Sequence, residues 1–145
     1  MSESISRRGT NRTATASPAS TGRAVNVGLW VVQVVTALAF VLAALGKFGG
    51  DPMVVATFDR IGFGDWFRYV IGVLELLGAV ALLVPPLAGL AGLAFVALMV
   101  GAAVVTVAVA GGSVVLPVGL LVLSALVAWG RWRSTARLWH TLTRR

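Results

Sequence analysis

Two charged side chains stand where charge is costly. Glu75 lies near the middle of the apolar run from Ile71 to Val84, and Lys47 closes the apolar run before it. A carboxylate at the centre of a membrane helix costs about 2.5–3.5 kcal/mol on insertion scales, so it faces a bundle interior and has a partner. Gly72, Gly78 and Ala79 lie three or four residues from Glu75 on the same helical face, where small side chains let another helix come close. Lys47 ends one span and Glu75 lies about 12 Å inside the next, at 1.5 Å per residue. If the two spans pack antiparallel, the pair meets directly or through water. Alternatively, Glu75 is protonated and hydrogen-bonds Gln33 or Thr36 as packing glue. Arg68 shares the face of Glu75 seven residues earlier, about 10 Å away along the axis, too far for direct pairing in a straight helix. A proton-path acid is a third reading, but such paths use chains of titratable groups, and one is visible.

Other chemistries are excluded by residue counts. The chain has no cysteine, which removes dithiol exchange, thiolate metal sites and cysteine nucleophiles. His140 is the single histidine and sits in the C-terminal tail, which argues against haem ligation, histidine-cluster zinc and a buried Ser–His triad. No phosphate-cradling loop or dinucleotide fingerprint is present. Together these point away from an enzyme, with no resident cofactor and no metal site.

The elements that must position Lys47 and Glu75 are apolar. Of the 145 residues 58% are hydrophobic and 12% charged, against about 45–50% and about 25% in a soluble domain. Four runs are long enough to cross a bilayer, at about 20 residues per crossing. They cover about residues 26–46, 66–84, 87–110 and 114–130. Span one carries Asn26, Gln33, Thr36 and Lys47 in one stripe with Ala37, Ala43 and Ala44, an interface or ligand-lining signature. Asp51-Pro52 starts a short helix on which Val54, Phe58 and Ile61 share a face. It is too short to span and reads as interfacial or re-entrant. Gly62 and Gly64 break it, and Asp65 is placed to cap span two. Pro85-Pro86 forms a tight turn, and Gly111-Gly112-Ser113 the next. The expected fold is an all-α integral membrane protein, a four-helix transmembrane bundle with a short interfacial helix after span one.

The net charge of +7 lies mostly in two tails. Residues 1–25, polar and carrying Arg7, Arg8, Arg12 and Arg23, read as a disordered tail. Residues 131–145 place Trp132, Trp139 and Leu142 near one face among arginines, which reads as a basic amphipathic helix on the membrane surface. Both tails are expected to be cytoplasmic and to meet anionic lipid headgroups of the cytoplasmic membrane. Basic residues flanking spans describe topology, so nucleic acid is not an expected partner.

The segments Gly46-Lys47-Phe48, Gly72-Val73-Leu74-Glu75-Leu76-Leu77-Gly78-Ala79 and Leu82-Leu83-Val84-Pro85 give the chain a resemblance to the DoxX-like family of small four-span membrane proteins. It covers about residues 26–130. The resemblance implies a four-helix bundle in the cytoplasmic membrane with Lys47 and Glu75 as the family-type polar pair. It also implies association with quinone-, sulfur- or thiol-linked oxidoreductases, other membrane subunits being the partners. Without cysteine, such a role is that of an anchor, a partner or a quinone-facing surface. Two functions therefore stay open. One is a non-catalytic membrane subunit or scaffold of an oxidoreductase system. The other is a binder or carrier of a small apolar molecule, its pocket near Glu75 and lined by Gln33, Thr36, Gly72, Gly78, Ala79 and Arg68. A pocket beside Glu75 favours the second, a filled interior the first.

Overall fold

Lys47 and Glu75 are positioned by two consecutive antiparallel helices whose ends are set by glycine and proline. In the computed structural model, residues 18–142 are described, without the side chains of residues 18–21, 110 and 133–142. Helix α1 spans Pro18–Phe48. It begins eight residues before the expected start of span one at 26, because proline is tolerated in a first turn and extending a helix already nucleated costs little. The disorder expected for residues 18–25 therefore gives way to helix, while residues 1–17, with Arg7, Arg8 and Arg12, lie outside the described residues. Gly49 and Gly50 end α1. The Gly49 amide donates to Leu45 O at 2.7 Å, and Gly50 has a φ of 70° that L side chains rarely adopt.

Helix α2 spans Pro52–Ile61. Asp51 caps it, accepting from the Met53 and Val54 amides at 2.9 and 3.4 Å. Val54, Phe58 and Ile61 are half-buried while Met53, Asp59 and Arg60 are exposed, so the expected apolar face does turn inward. Helix α3 spans Asp65–Leu83, and its cap position is Gly64, with no side-chain cap bond. Asp65, expected as the cap, is the first helical residue and instead binds Arg68 at 3.0 Å, since a guanidinium competes better for a carboxylate than a main-chain amide.

Helix α4 spans Ala88–Val105 and continues as a π-helical turn over Thr106–Ala110. The Gly111 amide closes that turn on Thr106 O at 2.9 Å. Helix α5 spans Val115–Leu142 without interruption. A separate surface helix was expected from 131 onward. Gly130 does not create that break, because one helical glycine costs only about 1 kcal/mol. Trp139, His140, Leu142 and the arginines beyond 132 have no described side chains.

All described regular structure is helical, and four helices are long and apolar enough to cross a membrane: Gly22–Phe48, Asp65–Leu83, Ala88–Val109 and Val115–Trp132. They close a ring in the order α1, α3, α4, α5 and back to α1, with α2 packed on α3 and the π turn. On α3 the buried residues are Arg68, Gly72, Glu75, Ala79 and Leu82, a 4-3-4-3 spacing that keeps one seam inward. The core joins Ala37 and Phe40 of α1, Ala79 and Leu82 of α3, Phe95 and Met99 of α4, and Leu120 and Val127 of α5. Phe40 and Phe95 stack across the bundle with centroids 3.6 Å apart. Outward positions such as Leu42, Leu77 and Val80 are exposed and apolar, which suits lipid contact.

Candidate functional site: a buried ion pair and two crossed helix caps

The inward seam of α3 puts Glu75 opposite the last turn of α1. Lys47 Nζ donates to both carboxylate oxygens, Oε1 and Oε2, at 2.8 Å each. The side chains are 12% and 3% exposed, respectively. Of the two arrangements left open for Glu75, the structure has the pair with Lys47, and neither Gln33 nor Thr36 bonds the carboxylate. A carboxylate held by an ammonium satisfies charge and lone pairs together, which is the condition for retaining it inside an apolar bundle.

Arg68 holds the other end of the same lysine. Its Nη1 donates to Lys47 O in the last turn of α1, where carbonyls have no partner within the helix. Its Nη2 donates to Asp65 Oδ1 at 3.0 Å and to the Tyr69 hydroxyl at 3.2 Å, and the guanidinium lies 4.6 Å from the Tyr69 ring centroid. Lys47 is therefore fixed through its main chain by Arg68 and through its ammonium by Glu75. Arg68 does not reach Glu75 directly, as its axial separation requires.

The small residues around Glu75 receive aromatic rings. A Cβ at Gly72 would stand 3.0 Å from Phe48 Cζ, and one at Gly78 would run into the Phe95 ring. These glycines seat Phe48 and Phe95 and do not line an open pocket. Ala79 does line a groove, of about 320 Å³, between α1 and α3 with Val34, Ala37, Leu38, Val41, Leu76, Val80 and Leu83. That groove includes neither Lys47 nor Glu75.

The stripe on α1 groups Gln33 and Thr36 with Glu75, and the structure separates them from it. Thr36 donates to Val32 O at 2.7 Å within its own helix. Gln33, fully buried, belongs to a second polar cluster at the other end of the bundle. Its Nε2 donates to Leu82 O at 2.6 Å, and its Oε1 accepts from Arg131 Nε at 2.7 Å. Arg131 Nη1 reaches Asn26 Oδ1 at 3.0 Å, with the guanidinium 5.6 Å from the Trp30 ring centroid. Arg131, which the sequence assigns to a surface tail, is buried instead. The available signal was the seven-residue spacing of Asn26 and Gln33, which asks for one long donor between them.

Among the described residues no group of three His, Cys, Asp or Glu could hold a metal ion. Among the described residues, the site near the end of α1 offers a desolvated ammonium–carboxylate pair.

No curated protein and no solved structure matches the chain. The family model for the DoxX-like family matches residues 31–128, which takes in the second and third spans whole, most of the first and fourth, and both Lys47 and Glu75. The chain belongs to the DoxX-like family.

Proposed function

We propose that this multi-pass membrane protein works as a non-catalytic subunit or scaffold of an oxidoreductase system of the quinone-, sulfur- or thiol-linked kind. The observation that carries this reading is the filled interior beside Glu75, where Phe48 packs on Gly72 and Phe95 on Gly78. A chain without cysteine brings no dithiol of its own, so a partner supplies the redox chemistry. In this reading Lys47 and Glu75 hold α1 to α3 and keep the scaffold in one shape. Both termini face the cytoplasm of the cytoplasmic membrane, where the arginine-rich tails meet anionic headgroups.

The groove between α1 and α3 favours a second reading, a carrier of a small apolar molecule, with its site at Ala37 and Ala79 in place of Glu75. Purification of the tagged full chain in mild detergent, with mass spectrometry of proteins and lipids, separates the two. A stoichiometric redox enzyme subunit is expected. A chain that purifies alone with one bound apolar molecule would replace the first reading by the second.

A further inference from the structure

Helix α5 packs closely on α4, where a Cβ at Gly92 would meet Ser124 O and the Ala128 main chain, but toward α1 and α3 few groups set its depth. Between Val115 and Gly130 its one hydroxyl is Ser124, which is fully buried and has no hydrogen-bond partner among the described residues. Its other inward residues include Leu120 and Val127. In a bilayer, lipid tails are as apolar as leucine, so register rests on close packing and on polar ties, and among the described residues the 115–130 part of α5 makes no side-chain hydrogen bond to α1 or α3. A slide of one turn, about 5.4 Å, is a known kind of helix shift at interfaces.

Arg131 ends this smooth stretch and is only 7% exposed. Through Nε and Nη1 it binds two points on α1, Gln33 Oε1 and Asn26 Oδ1. Because Gln33 also donates to Leu82 O, the contact extends to the end of α3. A guanidinium fork has fixed geometry, so it reads the spacing of its two acceptors and not just their presence. Sliding α5 one way would draw the charge into the apolar interior, and sliding it the other way would part both bonds.

We infer that Arg131 is the register pin of α5, setting the depth of that helix against α1 and α3 through Asn26 and Gln33. Next to Arg131, Gly130 packs against Leu29 of α1, since a Cβ at Gly130 would meet the Leu29 side chain. Positions 29 and 130 thus face each other and report the register.

The absence of native cysteine makes disulfide mapping in membranes clean. Leu29→Cys is paired in turn with Gly130→Cys and with two positions about one turn to either side, Leu126→Cys and Ser134→Cys, in the full chain. Intramolecular cross-linking is expected to favour the 29–130 pair by about tenfold or more, the scale of hydrogen bonds to a charged group. Arg131→Met should remove that preference and raise the offset pairs. Arg131→Lys keeps the charge without the fork and should leave the pattern spread. A parent-like pattern in either variant would overturn the proposal. Should Arg131→Met fail to accumulate, Asn26→Ala with Gln33→Met removes the two α1 acceptors that Arg131 Nε and Nη1 hold. The same spread is then expected, and an unchanged 29–130 preference would again overturn the pin.

Discussion

Arg68 of α3 donates to the main-chain oxygen of Lys47 in the last turn of α1. The reverse arrangement holds at the opposite end, where Gln33 of α1 donates to Leu82 O in the last turn of α3. Each of two antiparallel neighbours thus caps the other. The last four carbonyls of a helix have no internal partner, and in lipid an unpaired main-chain group costs several kcal/mol. Glu75 and Arg131 back this exchange, one bonding Lys47 and the other Gln33.

The caps should therefore be unequal to ordinary polar contacts when removed. Gln33→Leu removes the side-chain donor to Leu82 O and one of the acceptors of Arg131, which keeps Asn26, and a loss of about 1–3 kcal/mol is expected for the unsatisfied Leu82 O. Gln33→Glu keeps an acceptor for Arg131 and loses only the donor to Leu82, so it should fall between the parent and Gln33→Leu. Thermal unfolding in detergent ranks the three; equal stability of Gln33→Leu and the parent would contradict the capping role.

The glycines beside Glu75 make a second prediction. Gly78→Val pushes into the Phe95 ring, and overpacking of this kind costs about 1–3 kcal/mol. Adding Phe95→Leu should recover part of the loss by making room. If Gly78→Val is neutral, the space beside Glu75 is open and the scaffold reading loses its support.

How far the sequence itself reached follows from where each partner lies. The Lys47–Glu75 pair is one of the readings the sequence leaves open, because consecutive spans that pack antiparallel let an end-of-span lysine meet an acid inside the next; the sequence does not decide between it and a bond to Gln33 or Thr36. The short helix after Asp51-Pro52 was legible from its cap and its period. The Arg131 cluster was not, because its bonds join the first and last helices, 98 and 105 positions apart, and no local pattern encodes that distance. Gln33 was drawn toward Glu75 because a periodicity fixes the face of a residue and says nothing of which neighbour covers each level of it. The unbroken α5 was missed because a glycine before a basic, tryptophan-rich segment looks the same whether the helix bends or continues.

Topology supplies a third prediction. Arginines gather in the two tails, while the 46–68 segment carries three basic residues against three acids. Reporter fusions are expected to place both termini in the cytoplasm. A C-terminal reporter active outside would reverse the assignment.

Helix α2 gives a fourth. Its half-buried face of Val54, Phe58 and Ile61 is expected to lie at the membrane interface on the side of Lys47. Spin labels at Ala56 and Asp59, both exposed, should report shallow interfacial depth. Full water exposure at both positions would place α2 clear of the bilayer.

The central claim is that Lys47 and Glu75 act as one unit that joins α1 to α3. It is tested by a double-mutant cycle on thermal stability in detergent, using Glu75→Gln, Lys47→Met and the two together. Each single change leaves the other partner in an apolar interior, whereas the double change removes both charges. Residues in contact couple by about 0.5–3 kcal/mol, and here a coupling of about 1 kcal/mol or more is expected, the double variant being more stable than the two single losses predict. Strict additivity of those losses would contradict the claim.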